Sequence, residues 1–483
     1  MNSPLADIQP TSKFESGLFY GFLFLLIWLP LPLGSNRVWA WSLMEAGVFC
    51  LSIAWLVLLL RGQVHFGAHF KQAKWIVWLF LCFLLIEGFK VIPLPMSWVS
   101  FVSPATVEFT AAINPSLPDF LPISIDPNAS INALLKSLSY FFLFCLTLAL
   151  VRTRKRLLML AYTLLVCGVF QAFYGSLMTL SGLEKSLFID KESYVGVATG
   201  TFVNRNHLAG YLEMTLAIGI GLMIANLSSS ASTNWRERTR RILATLLGPK
   251  ARIRLALVIM VIALVLTQSR MGNTAFFASL TICAIIGIIS TLRFDRVSKQ
   301  KKRGNRSLIW LFASLLVIDV LIVGAWFGID KVAERMESTS FASETRDEVS
   351  QFSFAIWQDF NILGTGGGSF YGIFPAYNQI PVGGFYDHAH NDYAQFATEF
   401  GTIGAGLLAL IVIASFIKSI AVQFTSQSQT HRGLAFASCM GILSIMIHSS
   451  VDFNLQIPAN AALFIVLIAL PWLLSPISAK PTI

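Results

Sequence analysis

The sequence predicts an all-α, polytopic membrane protein: a bundle of about twelve transmembrane helices with one large loop that contains short helices. Of the 483 residues, 55% are hydrophobic and only 12% are charged. Soluble globular proteins carry roughly twice that charged fraction. The apolar residues also form repeated runs of about 20 residues, which is the length that an α-helix needs to cross the hydrocarbon layer of a bilayer.

The predicted spans divide the chain into three parts. The first nine helices fall within 16–329, a large outer loop with a candidate catalytic motif covers 330–399, and the last three helices fall within 400–476. Helical spacing of apolar residues predicts a short helix at 342–359 of the loop, before a glycine-rich turn at 361–370. The predicted spans lie near residues 16–33, 38–60, 74–95, 131–151, 156–180, 206–228, 254–269, 272–292, 308–329, 400–424, 433–449 and 458–476.

Lysine and arginine residues are concentrated in alternate loops, and this bias predicts the orientation. With the N-terminus in the cytoplasm, the inside segments hold 25 of the 35 lysine and arginine residues, as the positive-inside rule requires. We therefore predict that both termini are cytoplasmic. The net charge of +10 is explained by this topology and by contact with anionic membrane lipid, so we do not predict nucleic-acid binding.

Polar and titratable residues gather in the segments that this topology places outside. Such residues beside a membrane span usually serve a function. The clusters are Asn204–His207 at the start of span six, Ser269–Arg270 between spans seven and eight, Arg346 with Arg335 in the large loop, and His388–Tyr393 followed by Glu399.

The outward arginines oppose the positive-inside bias and therefore need an explanation. A guanidinium group presents a planar fork of donors that suits phosphate oxygens, and several of them would stabilise a departing pyrophosphate. The alternative is that each arginine pairs with an acidic residue such as Asp387, Glu399 or Asp452. Arg270 has no acidic residue nearby in the sequence, which favours a function for it.

The residue types of the histidine segment leave three interpretations open. His388 and His390, with Asp387 and Asp392, have the chemistry of a divalent-metal site. One histidine is instead suited to act as a general base, because its ordinary pKa lies near neutrality. The third interpretation is helix capping by Asn391 or Asp392. The six cysteines all fall in apolar segments without a CxxC pair, so we predict neither disulfides nor a cysteine-bound metal.

The same segment resembles the signature of the O-antigen ligase and polysaccharide polymerase superfamily. That signature is a histidine, then Asn, Ser or Gln, nine residues, a glycine, two residues and a second glycine. Here it is matched by His390, Asn391, Gly401 and Gly404. Six other stretches, spread over about residues 20–470, resemble the same family: PLPLGSNRVW, the loop with IPLP, SP and PISIDP, GTFVNRNHLAGYL, LTQSR, Arg346 ahead of GTGGGSF, and HSSVDFNLQIPA.

The resemblance implies a membrane glycosyltransferase of the GT-C type with a periplasmic active site in the bacterial inner membrane. Such an enzyme moves a glycan from undecaprenyl diphosphate to an acceptor hydroxyl, without a metal or other cofactor. By resemblance, His390 is the catalytic base or the residue that orients the acceptor, while Arg270, Arg346 and, in a less closely matched motif, Arg205 bind the diphosphate. The implied supporting residues are His388, Asn391, Asp392 and Asn206.

Several functions remain open at the level of sequence. The first is an O-antigen ligase that acts on a lipid A-core or related acceptor in lipopolysaccharide biosynthesis. The alternatives within the enzymes are a polymerase of O-antigen or exopolysaccharide repeat units and a protein O-glycosyltransferase. A polysaccharide or lipid transporter is a remote alternative, because transporters place ionisable groups near the membrane midplane. Here Asp319 and Glu45 are the main ionisable residues in span centres.

Overall fold

The protein is an α-helical bundle with very little β-structure, as a computed structural model shows. The model describes residues 13–226, 249–298, 340–378 and 386–474. Within these ranges the strands form two short antiparallel pairs, Leu94–Pro95 with Phe120–Leu121 and Lys185–Ser186 with Ile189–Asp190. The prediction of an all-α, polytopic membrane protein is confirmed.

The helices of the described ranges are numbered here in chain order. They are α1 (Lys13–Trp28), α2 (Val38–Leu60), α3 (Ala68–Gln72), α4 (Lys74–Lys90), α5 (Met96–Val102), α6 (Pro104–Ile113), α7 (Pro127–Leu150), α8 (Arg154–Ser181), α9 (Arg205–Ala225), α10 (Pro249–Leu266), α11 (Arg270–Ser298), α12 (Ser340–Asp359), α13 (Phe370–Tyr377), α14 (Asp392–Thr425), α15 (Gln429–His448) and α16 (Pro458–Leu473).

Seven of the described helices are long and apolar enough to cross a membrane: α2, α7, α8, α9, the Arg270–Arg293 part of α11, α14 and α15. The apolar helix α16 is shorter. Helices α1, α4 and α10 also lie at predicted spans. The predicted span 308–329 lies outside the described residues, so the total of about twelve spans stays a prediction.

The centre of the bundle is the contact between α9 and α15. In lipid there is little hydrophobic drive for helix association, so close packing depends on small residues. Gly221 of α9 and Gly433 of α15 face one another, and a Cβ at either position would overlap the carbonyl oxygen of the other. This close approach buries almost all of α9 and holds its N-terminal end beside the loop between α15 and α16.

The large loop predicted at 330–399 contains the helices α12 and α13, and α12 covers the predicted helix at 342–359. These helices share a separate apolar cluster that includes Val349, Ile356, Phe370 and Ile373. Ala389, between the two histidines of the candidate motif, is buried in the same cluster. The loop helices therefore hold the histidine segment against the end of the bundle.

Helix α14 begins at Asp392, ahead of the predicted boundary at residue 400, and is interrupted at Gly401. This glycine has φ 66° and ψ −178°. The interruption leaves the carbonyl groups of Thr398 and Glu399 without helical partners, and the amides of Thr365 and Gly366 donate to them at 2.9 Å each. The glycine-rich turn is thus hydrogen-bonded into the break in α14.

Bonds in the opposite direction complete this junction. The amides of Thr402 and Ile403 donate to the carbonyl oxygens of Asn361 and Ile362 at 2.8 and 3.2 Å. A Cβ at Gly401 would overlap the Ile362 carbonyl oxygen. Glycine is therefore required at Gly401 both by its positive φ and by this close approach.

We expect Gly401→Ala to destabilise the protein by about 2–6 kcal/mol, because the combination of positive φ and extended ψ at this position is open essentially only to glycine and costs alanine about 1–3 kcal/mol, and overpacking adds about 1–3 kcal/mol. The matched control is Gly406→Ala, since a Cβ at Gly406 meets no atom within 4 Å. Thermal unfolding in detergent measures the difference. Equal melting temperatures for the two variants would contradict this account of the junction.

Candidate active site

The histidine turn comprises residues 388–391 and leads directly into α14. His390 adopts a left-handed backbone conformation with φ 50°. Asn391 is the N-cap, and its side-chain oxygen accepts hydrogen bonds from the amides of Tyr393 and Ala394 at 3.0 and 3.1 Å. Of the two predicted cap candidates, Asn391 is the cap and Asp392 is the first residue of the helix.

Three imidazole rings surround the ring of Phe453. The ring centroids of His207, His388 and His390 lie 4.7, 4.4 and 4.8 Å from its centroid, and His388 stacks nearly parallel to it. Phe453 belongs to the loop between α15 and α16, and His207 lies in the first turn of α9. Tertiary structure therefore brings together three motifs that are far apart in the sequence.

Asp452 links the start of α9 to this loop. Asn206 Nδ2 donates to Asp452 Oδ2, the Phe453 amide donates to Oδ1 at 2.8 Å, and His207 Nε2 lies 3.7 Å from Oδ1. Burial opposes ionisation of Asp452, but the nearby charges of His207 and His448 and the hydrogen bond from the Phe453 amide hold its pKa well below the usual range. Asp452 is therefore a carboxylate at neutral pH.

Asp392 fixes the start of α14 to the same loop. Its Oδ2 accepts hydrogen bonds from the Ser449 hydroxyl at 2.7 Å and from the Leu455 amide at 3.1 Å, and the side chain is almost fully buried. Its own amide donates to the carbonyl oxygens of Ser449 and Asp452. The geometry gives Asp392 a role in holding the histidine turn against the loop.

A second buried pair lies one turn deeper in the bundle. Glu213 Oε1 is 2.8 Å from His448 Nδ1, and the Ser444 hydroxyl donates to Glu213 Oε2. All three side chains are fully buried. Sequence reasoning missed this pair because Glu213 lies within an apolar span, outside the motifs, although His448 begins the HSSVDFNLQIPA stretch.

Two of the predicted diphosphate-binding arginines begin neighbouring helices. Arg205 is the first residue of α9, and its guanidinium carbon lies 5.8 Å from the Tyr194 ring centroid. Arg270 is exposed and is the first residue of α11. The helices are in close contact, because a Cβ at Gly272 would lie only 2.6 Å from the Ala209 Cβ. Helix N-termini also attract anions.

The third predicted arginine, Arg346, belongs to α12. It lies three residues before Val349, which shares an apolar cluster with Ala389 of the histidine turn. Only the backbone of α12 is described at Arg346, so its contact with the site stays a prediction. Arg335 lies outside the described residues.

The histidines do not converge with carboxylates as metal ligands do. His388 and His390 contact Phe453 at different angles, and Asp392 is bonded to Ser449. Among the residues that the structure describes, no group of three His, Cys, Asp or Glu side chains is arranged to hold a metal ion. Burial lowers the pKa of His388 to about 4 despite the opposing charge of Asp387, so its ring is neutral at pH 7.

A cavity of about 470 Å³ opens beside the histidine turn, among α2, α4, α7, α14 and α16. Lys136, on its wall, lies over the Trp41 ring at 4.1 Å. At the end nearest the turn the lining mixes apolar Phe396, Phe400 and Leu455 with six polar residues: Arg37, Asp387, His388, Gln395, Glu399 and Gln456. Further along the same helices it is apolar: Phe80, Phe83, Leu408, Ile411, Phe464 and Ile468.

Fold and site together define a polytopic membrane protein with a histidine- and arginine-bearing site at one end of its bundle. Residues 255–409 match the family model of the O-antigen ligase domain. This range contains Arg270, the histidine turn and the junction at Gly401. Over this range the match confirms the predicted resemblance to the O-antigen ligase superfamily. No curated protein matches the chain.

Proposed function

We propose that the protein transfers a glycan from undecaprenyl diphosphate to an acceptor hydroxyl at the periplasmic face of the inner membrane, as a ligase acting on lipid A-core or a related acceptor. The observation that carries the proposal is the position of His390. It lies beside Phe453 and the start of α9, within the range of the O-antigen ligase match.

The donor side of the reaction requires positive charge. As the bond between the anomeric carbon and the diphosphate oxygen breaks, its electron pair passes to the diphosphate. Arg205 and Arg270, at the starts of adjacent helices, supply guanidinium groups that stabilise this charge. Arg346 is the third guanidinium in the proposal.

The acceptor side requires a base. His390 removes the proton from the acceptor hydroxyl as the oxygen attacks the anomeric carbon in line with the leaving diphosphate. A histidine with a pKa near neutrality suits this step. The new glycosidic bond replaces the bond to diphosphate, so the exchange needs no nucleotide and no redox partner.

The cavity supports a substrate with a hydrocarbon chain. Its polar end adjoins His388, while its apolar end runs along α14 and α16, helices that are apolar enough for the membrane layer. A lipid-linked substrate would place its chain among the apolar side chains and its head group at the polar end. This arrangement explains why a site for sugar chemistry adjoins transmembrane helices.

Deletion of the gene tests the proposal and separates its alternatives. For a ligase, we expect full-length lipid-linked polymer to accumulate and to be absent from lipopolysaccharide. Accumulation of single lipid-linked repeat units would instead indicate the polymerase. Unchanged lipopolysaccharide and unchanged lipid-linked pools would contradict both functions.

We expect transfer by the purified protein to continue in excess EDTA at no less than about half its untreated rate, because the proposed steps use His390 and arginines alone. The assay compares product formation with and without chelator, and with Mg²⁺ restored. A loss of activity that Mg²⁺ or Zn²⁺ reverses would contradict the metal-independent mechanism.

A further inference from the structure

A line of buried polar side chains runs from α4 to the histidine turn. Its members are Glu87 and Lys90 of α4 and Gln395 and Glu399 of α14. Lys90 is 0% exposed, and Gln395 and Glu399 are each 2% exposed. Buried charges and amides are costly unless they are paired, so this line needs a structural or functional reason.

Gln395 holds the histidine turn directly. Its Oε1 accepts a hydrogen bond from the Ala389 amide at 3.2 Å. The same side chain lies 3.1–3.2 Å from Nδ1 of His388. One amide group therefore contacts both residues that precede His390.

Glu399 fixes the orientation of that amide. Because the Ala389 N–H can only donate, the amide oxygen of Gln395 must face Ala389, and Nε2 is left to donate to Glu399 Oε1 at 3.1 Å. The Phe370 amide donates to the same Oε1 at 3.4 Å, and the Gly368 amide also donates to this carboxylate. Glu399 thus joins the glycine-rich turn to the histidine turn.

Lys90 and Glu87 connect α4 to the backbone at Glu399. Lys90 Nζ donates to the Glu399 carbonyl oxygen at 3.3 Å and forms an ion pair with Glu87 Oε1 at 2.6 Å. That carbonyl is available because Gly401 interrupts α14. The helix break is therefore used as an attachment point for α4.

We propose that Gln395 and Glu399 are positioning residues for the catalytic histidine turn: the Glu399 carboxylate orients the Gln395 amide, which holds His388 and the Ala389 backbone and so presents His390 in its left-handed conformation. This inference rests on the proposed role of His390. An enzyme whose catalytic group is misplaced by about 1 Å can lose about 100-fold in rate. Loss of the network should therefore lower turnover more than it weakens substrate binding.

The central variant is Gln395→Glu, which replaces the amide opposite the Glu399 carboxyl by a second carboxyl group and so disturbs the bond that orients the histidine turn. We expect kcat to fall about 10- to 100-fold while KM for the lipid-linked donor stays within about twofold. Glu399→Gln keeps an oxygen that accepts from the Phe370 amide, so we expect kcat to fall by about tenfold or less. The matched control is Gln423→Glu, a glutamine of equal burial on the same helix, 2% exposed, with kcat expected to stay near wild type.

The exchanged double variant, Gln395→Glu with Glu399→Gln, restores a donor opposite an acceptor. We expect its kcat to recover to within about fivefold of Glu399→Gln, a rescue that mere loss of packing would not produce. An unchanged kcat in Gln395→Glu, or a double variant no better than that single variant, would overturn the proposal. If Gln395→Glu does not fold, Gln395→Met replaces it with the same expected loss, and an unchanged kcat there is equally contradictory.

Hydrogen exchange over residues 386–392 gives a readout that is independent of activity. We expect the Ala389 amide to exchange faster in Gln395→Met and to regain protection in the exchanged double variant. Full transfer by His390→Ala would refute the proposed base while leaving this exchange pattern intact. Unchanged Ala389 protection in Gln395→Met would refute the positioning network itself.

Discussion

His390→Ala should lower the rate of glycan transfer by about 10²–10⁴-fold, the usual contribution of a general base. The acceptor hydroxyl then keeps its proton during attack on the anomeric carbon. The measurement is kcat of the purified variant with a lipid-linked donor and a glycan acceptor. Membrane insertion and helix content should be unchanged, because His390 lies in the turn before α14.

Backbone conformation complicates this substitution and calls for a second variant. His390 has φ 50°, and alanine is less tolerant of this region than asparagine. His390→Asn therefore removes the base while keeping the turn. His65→Ala, an exposed histidine on the predicted cytoplasmic side, is the control and should retain full activity. Wild-type transfer by His390→Asn would remove the base assignment.

Arg270→Ala should reduce kcat/KM for the lipid diphosphate donor by about 10²–10³-fold, because the developing diphosphate charge loses a donor. Arg270→Lys should recover less than about a tenth of the lost activity, since an ammonium group lacks the planar fork that engages two phosphate oxygens. Initial rates at varied donor concentration measure kcat/KM for both variants. A separate binding measurement with undecaprenyl diphosphate gives the change in its affinity.

The control for Arg270 is Arg61→Ala, an exposed arginine at the end of α2 on the predicted cytoplasmic side. It should leave donor affinity and turnover within about twofold of wild type. If Arg270→Lys restores full activity, positive charge alone is sufficient and the forked contact is wrong. If Arg270→Ala binds and uses donor normally, Arg270 has no part in the diphosphate site.

Hydrophobic runs were sufficient to predict most of the bundle, because a bilayer leaves few structures other than a helix for an apolar stretch. The start and the interruption of α14 were harder to predict. Asn391 is a recognisable cap, but Gly401 interrupts the helix only because the glycine-rich turn donates and accepts hydrogen bonds there. Those contacts connect residues about forty positions apart, where a local pattern carries no information.

The site was predictable where chemistry sits in one short motif. The sequence singles out His388, His390 and Asn391 from one segment and Asn206 from the motif around Arg205, and their functional roles stay predictions. The position of Phe453 was missed because its imidazole neighbours come from two distant segments, His207 from the start of α9 and His388 and His390 from the histidine turn. Lys90 was missed because it lies near the end of a predicted apolar span and because its partner Glu399 lies 309 residues away in the sequence.

The most direct test of the central claim is transfer by the purified protein in liposomes that contain an undecaprenyl diphosphate-linked glycan and lipid A-core acceptor. We predict that one undecaprenyl diphosphate is released for each glycan joined to the acceptor, and that His390→Asn abolishes both products together. Movement of intact lipid-linked glycan between leaflets, without cleavage from the diphosphate, would contradict the account.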